Sequence, residues 1–156
     1  MTTRLTVESL LTKAIDKEIE ARRLYKDLSQ KMTDPAAKDA FSQLSREEKH
    51  HEELLRKYRR GEIGVWGLKK DRVLDYKITE YLDQPEITPD MALEDIFMLA
   101  AKREKASHDF YSELAALHPI GGLKRLLEQL AAQELEHKSK VEFWYTEVAF
   151  PQTDGG

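Results

Sequence analysis

The chain contains no cysteine. Disulfides, thiolate metal sites, iron–sulfur centres and cysteine nucleophiles are therefore excluded. Only 5 prolines and 7 glycines interrupt 156 residues, so long helices meet few breakers. No apolar run approaches the roughly 20 residues of a membrane span. The N-terminus is polar and lacks the apolar stretch of a signal peptide, so a soluble, cytoplasmic protein without a membrane partner is expected. Neither sign of charge dominates: 29 acids face 25 bases, a net charge of −4. If the four carboxylates discussed below are buried, the balance left at the surface is 25 against 25. Such a surface offers no case for nucleic-acid binding. The basic run Arg56, Lys57, Arg59, Arg60 is short and falls at a predicted helix C-terminus, where cations suit the helix dipole.

What the chain does have is charge and helical periodicity. Charged residues make up 35%, a mix suited to long helices. Thr6 is a candidate N-cap for a first helix with the inward stripe Val7, Leu10, Leu11, Ala14, Glu18, Ala21, Tyr25, Leu28. Thr33-Asp34-Pro35 stops it and starts a second, with Asp34 as cap and Pro35 in the first turn. The second stripe reads Phe41, Leu44, Glu48, His51, Leu55, Tyr58. Gly61, Gly64 and Gly67 then break the pattern. Thr88-Pro89-Asp90 opens a third helix with the stripe Leu93, Phe97, Ala100, Glu104, Ser107, Tyr111, Leu114. His118-Pro119 and Gly121-Gly122 separate it from a fourth, with Leu127, Leu130, Glu134, His137, Val141, Trp144.

The predicted helices therefore run over about 6–32, 34–60, 89–117 and 120–148. Residues 61–88 are a crossover, as a short helix or an extended strap. Val65, Trp66 and Leu68 are suited to pack on the bundle or on a second subunit. Residues 1–150 form one domain, and 151–156 a disordered tail.

An internal repeat fixes the register. Glu18 and Glu104, Tyr25 and Tyr111, Leu28 and Leu114, Leu44 and Leu130, Glu48 and Glu134, and His51 and His137 are each 86 residues apart. The chain is thus two helical hairpins of one design, giving an all-α four-helix bundle. Glu47 and His50 also have Glu-x-x-His spacing, but their counterparts are Gln133 and Glu136. Glu47, His50, Glu52, Glu53 and Glu136 are accordingly expected to face solvent.

A carboxylate on an apolar stripe is costly unless paired or bound to metal. This chain places four such carboxylates in matched positions, two of them with a histidine three residues on. One Glu from each of two helices, and Glu-x-x-His from each of two others, is the ligand set of dinuclear carboxylate sites in helical bundles. Four carboxylates neutralise two divalent ions, and one imidazole per ion suits iron. Glu18, Glu48, His51, Glu104, Glu134 and His137 are the candidate ligands, with Glu48 and Glu134 the expected bridges by pseudo-symmetry. Two iron ions are the expected cofactor, with manganese or zinc as alternatives. Tyr25 and Tyr111 lie seven residues beyond the single glutamates on the same face. Each either donates to a ligand carboxylate or is a core aromatic with a satisfied hydroxyl.

These residues also carry a resemblance. Glu18…Tyr25, Glu48-Lys49-His50-His51, Ala101-Lys102-Arg103-Glu104…Tyr111 and Glu134-Leu135-Glu136-His137 resemble the rubrerythrin group of the ferritin-like superfamily. The likeness spans residues 5 to about 148. It implies a ferritin-like bundle with a non-haem di-iron site, reaction with hydrogen peroxide or dioxygen, and a homodimer. Rubrerythrins with a C-terminal rubredoxin domain carry four cysteines there, and this chain has none, so a separate electron donor such as a rubredoxin-like protein is implied. Those proteins also place an additional Glu one turn after the single Glu of the third helix, where this chain has Ser107. Ferroxidase or iron-handling activity, and a purely structural metal site, are the competing expectations.

Overall fold

The computed structural model describes residues 7–61, 85–88, 90–118 and 120–149. Four helices account for most of them: α1 (Val7–Lys31), α2 (Pro35–Arg59), α3 (Leu93–Ala116) and α4 (Gly122–Ala149). There is no strand among the described residues, and the architecture is the expected four-helix bundle. None of these helices is long and apolar enough to cross a membrane.

Local signals explain the helix ends. Asp34 Oδ1 accepts from the Ala36 amide at 3.3 Å, and Pro35 occupies the first position of α2. At the other end Gly61 takes φ 76°, where a side chain would be strained, and its amide reaches Tyr58 O at 3.0 Å. The start of α3 departs from expectation. It begins at Leu93, not near residue 89, after an Ala92 cap that makes no side-chain hydrogen bond. Thr88 and Asp90 are used for a turn instead: the Met91 amide bonds Thr88 O at 3.2 Å, and the two side chains bond each other. The Thr6 cap, nearly all of the crossover and the 151–156 tail lie outside the described residues.

Short links make α1 and α2 one antiparallel hairpin, and α3 and α4 another. Ser45 Oγ donates to Arg22 O at 2.9 Å within the first, and His108 Nδ1 to Ala131 O at 2.8 Å within the second. The hairpins meet through two apolar layers, each drawn from all four helices. One holds Leu10, Leu11, Leu55, Tyr58, Phe110, Leu114, Leu127 and Leu130. The other holds Leu28, Phe41, Leu44, Phe97, Ala100 and Val141. In the second layer Phe41 stacks on Phe97 across the hairpins, with ring centroids 5.5 Å apart. Burying each such ring stabilises the fold by about 1.5–3 kcal/mol. At the end of the first layer Tyr58 Oη and His118 Nε2 lie 2.6 Å apart, and burial holds His118 below its ordinary pKa, as a neutral acceptor. Between the two layers the core turns polar.

Candidate metal centre

Glu18, Glu48, His51, Glu104, Glu134 and His137 occupy that polar layer, each at most 4% exposed. The repeat delivers them: one carboxylate from α1 and one from α3, and a carboxylate–imidazole pair from each of α2 and α4. The 86-residue offset puts equivalent residues at equivalent heights, so the six converge from four sides.

The polar atoms form two overlapping groups. Glu18, Glu48, His51 and Glu134 offer ligand atoms all within 4.8 Å of one another, and so do Glu48, Glu104, Glu134 and His137. Glu48 and Glu134 belong to both groups. Each imidazole turns Nδ1 inward. His51 Nδ1 lies 2.7 Å from Glu134 Oε1, 3.6 Å from Glu48 and 3.7 Å from Glu18. His137 Nδ1 lies 2.6 Å from Glu48 Oε1 and 3.7 Å from both Glu104 and Glu134. The rings stack with centroids 5.6 Å apart. Glu18 Oε2, Glu104 Oε2, Glu134 Oε1 and His51 Nδ1 are buried without an aligned hydrogen-bond partner, despite the close His51–Glu134 approach. Buried polar atoms that converge without pairing fit shared cations better than they fit one another.

The rubrerythrin family model matches residues 3–88, more than half of the chain. This chain belongs to the rubrerythrin family. Two solved structures are similar over nearly its whole length. A hypothetical protein from Pyrococcus furiosus is 28% identical, with 96% of this chain and 94% of that one covered and a TM-score of 0.75. A protein from Thermotoga maritima, described as ferritin-like and diiron-carboxylate, is 26% identical, with 95% and 99% covered and a TM-score of 0.74. No curated protein matches.

The two tyrosines bond across the hairpins. Tyr25 of α1 donates to Glu104 of α3, and Tyr111 of α3 donates to Glu18 of α1. Burial and the adjoining carboxylates hold both phenols well above their ordinary pKa, so they remain donors. Tyr25→Phe and Tyr111→Phe are each expected to lower stability by about 1.5–3 kcal/mol, the range for a hydrogen bond to a charged group. The check is urea unfolding, with metal content measured alongside; unchanged midpoints would sink this reading of the two hydroxyls.

The electrostatics follow from burial. Glu48 and Glu134 are raised well above the carboxylate range, first by burial and then by neighbouring carboxylates. Burial also disfavours charge on Glu18, but the neighbouring Glu48 carboxyl, the His51 imidazole and the Tyr111 hydrogen bond outweigh it and lower its pKa. For His51 and His137 burial pulls downward, yet the surrounding carboxylates hold both imidazoles well above their usual range. Without metal, Glu48, Glu134, His51 and His137 therefore hold their protons to higher pH than free side chains do, and cations must displace them.

Two neighbours of the histidines were not singled out by their sequence pattern. Glu47, expected to face solvent, brings Oε2 to 2.6 Å from His137 Nε2 and keeps only 34% of its side chain exposed. Gln133 brings Oε1 to 2.6 Å from His51 Nε2. The hydrogen bond from His137 holds the Glu47 carboxyl down at about 2. Glu52 is a second correction: its side chain is 12% exposed and pairs with Arg56 at 2.9 Å and Arg22 at 3.5 Å. His50, Glu53 and Glu136 are exposed as expected.

A cavity of about 30 Å³ opens on the other side of the centre, between α1 and α3. Glu18, Glu48, Glu104 and Glu134 line it, with Ala21, Ser107, Lys17 and Arg103 beside them. Ser107 and its repeat partner Ala21 are small, and the space depends on that. The cavity has room for at least one water molecule.

Proposed function

We propose that this protein is a di-iron oxidoreductase that reduces hydrogen peroxide to water with electrons from a separate donor. The observation that carries the reading is the pair of ligand groups sharing Glu48 and Glu134. Two groups with common carboxylates suit two ions held close together, whereas a single structural ion needs only one group. Glu18 and His51 complete the set for one iron, and Glu104 and His137 for the other. Bound there, the pair supplies the two electrons that convert one hydrogen peroxide and two protons into two waters.

The protein's own residues set the conditions. The two apolar layers exclude bulk water, so the charges inside act in a low-dielectric core. The small cavity beside the four glutamates offers room for a water- or peroxide-sized molecule. Tyr25 and Tyr111 fix the orientation of Glu104 and Glu18. A rubredoxin-like protein as electron donor belongs to this proposal by resemblance. A homodimer belongs to the same proposal, by resemblance.

Stopped-flow absorbance tests it. Reduced, iron-loaded protein is mixed anaerobically with hydrogen peroxide and, separately, with dioxygen. Oxidation at least tenfold faster with peroxide is expected. A faster reaction with dioxygen would replace this reading with ferroxidase activity. Tight zinc or manganese with no turnover would replace it with a structural site.

A further inference from the structure

We propose that the two metal positions are unequal by construction: the position held by His137 fills first, because Glu47 backs that histidine, and the position held by His51 fills second, because Gln133 backs it. The inference rests on the metal-centre reading above.

The argument starts from the repeat. Each candidate ligand and each of the two tyrosines has its equal 86 residues away: Glu18 and Glu104, Glu48 and Glu134, His51 and His137, Tyr25 and Tyr111. Even the crossed tyrosine bonds are mutual. Symmetry breaks one step further out. Glu47 and Gln133 are also 86 apart, and each reaches the outer nitrogen of the opposite hairpin's histidine at 2.6 Å. Both offer an oxygen at the same place. One is a carboxylate and the other a neutral amide.

That difference acts on the inner nitrogen. A histidine that binds a cation through Nδ1 carries its proton on Nε2 and donates it outward. A carboxylate draws that proton more strongly than an amide oxygen does, and the ring becomes a better donor to the cation. Gln43 Nε2 donates to Glu47 at 3.2 Å and steadies the carboxylate. Glu47 also adds a negative charge on the His137 side that Gln133 does not add on the other. It is one-third exposed, so water weakens the effect without removing it. Glu47 is thus a positioning residue, acting through His137.

The test uses cobalt(II) at one equivalent per chain. Hyperfine-shifted Nε2–H resonances of the coordinated histidines are recorded by proton NMR, and assigned by their loss in His51→Gln and His137→Gln. In the wild-type protein the His137 signal should dominate. Glu47→Gln should give the two signals in near-equal amounts and weaken the first binding step by about 10–100-fold. Glu47→Gln combined with Gln133→Glu should reverse the preference, so that the His51 signal dominates. Circular dichroism of each variant verifies the fold, and these near-isosteric exchanges leave all six ligands in place. If the double exchange fails to reverse the order while two ions still bind, the inference is overturned and the metal centre stands. If fewer than two ions bind to the wild-type protein, the metal-centre reading fails and the inference with it.

Discussion

Glu48→Leu combined with Glu134→Leu is expected to abolish metal binding while leaving the metal-free fold at least as stable as the wild type. The two residues are the members common to both ligand groups, so the pair of changes strips each position to one carboxylate and one imidazole. No other two substitutions remove as much from both at once. For the metal-free protein the balance is different. Glu48 and Glu134 are each 1% exposed, and burial is the first cause of their raised pKa. Replacing buried ionisable groups with apolar ones of similar volume is often neutral, or stabilising by about 1–4 kcal/mol. Against this, His51 loses a carboxylate neighbour at 2.7 Å and His137 a hydrogen bond to Glu48, the latter worth about 1.5–3 kcal/mol. Metal analysis and a thermal melt settle both halves. Two ions still bound per chain would remove the case for the centre. A melting temperature lowered by more than about 4 °C would mean that the carboxylates hold the metal-free core together.

Metal-free and metal-loaded protein should respond to pH with opposite sign. Glu48 and Glu134 titrate above their ordinary 4.5 when folded, and His51 and His137 above their ordinary 6.5. The folded chain therefore keeps protons that the unfolded chain has released. The stability these groups lend is complete below 4.5 for the glutamates and below 6.5 for the histidines, and it is lost as pH rises beyond those values. Glu18 and Glu47, lowered, work the other way and contribute above 4.5. His118, held low by burial, joins those two as pH passes 6.5, so four groups act against three and metal-free protein weakens from mildly acidic pH upward. Metal reverses the trend, because each cation must displace those protons and binds more tightly as they become easier to remove. With free metal at about a thousand times the dissociation constant, loading stabilises by about 4 kcal/mol, or about 8–16 °C in melting temperature for a domain of this size. Melts from pH 5 to 9, with metal and with a chelator, should diverge toward alkaline pH. Parallel curves would mean that the buried protons are not those the metal displaces.

The six clustered residues are legible in the sequence for a specific reason. A buried charge is rare, and the chain places one at the middle of each of four apolar stripes. The 86-residue offset then ties each to its equal. The helix bounds followed from Asp34, Pro35 and Gly61, whose chemistry is local. The start of α3 was misread because Thr88 and Asp90 serve equally well in a cap and in a turn, and only tertiary packing decides between them. Glu47 and Gln133 were missed because the repeat was compared by residue identity. Glu against Gln looks like divergence, yet both carry an acceptor oxygen at one height. A comparison by hydrogen-bonding capacity would have paired them. The crossing of Tyr25 to Glu104 was beyond reach, since periodicity places a side chain on a face but does not say which helix that face meets.

The division of ligands between the hairpins carries a consequence for ancestry. The first group takes Glu18, Glu48 and His51 from one hairpin and Glu134 from the other; the second takes Glu104, Glu134 and His137 from one and Glu48 from the other. Neither hairpin holds a complete set. A forebear consisting of a single hairpin would have captured a cation only by meeting a second copy of itself. Duplication and fusion replace that encounter with an effective concentration on the order of millimolar, which dilution cannot lower. Fusion also frees the two copies to diverge. Glu47 and Gln133 use that freedom, since an assembly of identical hairpins would have to back both histidines alike.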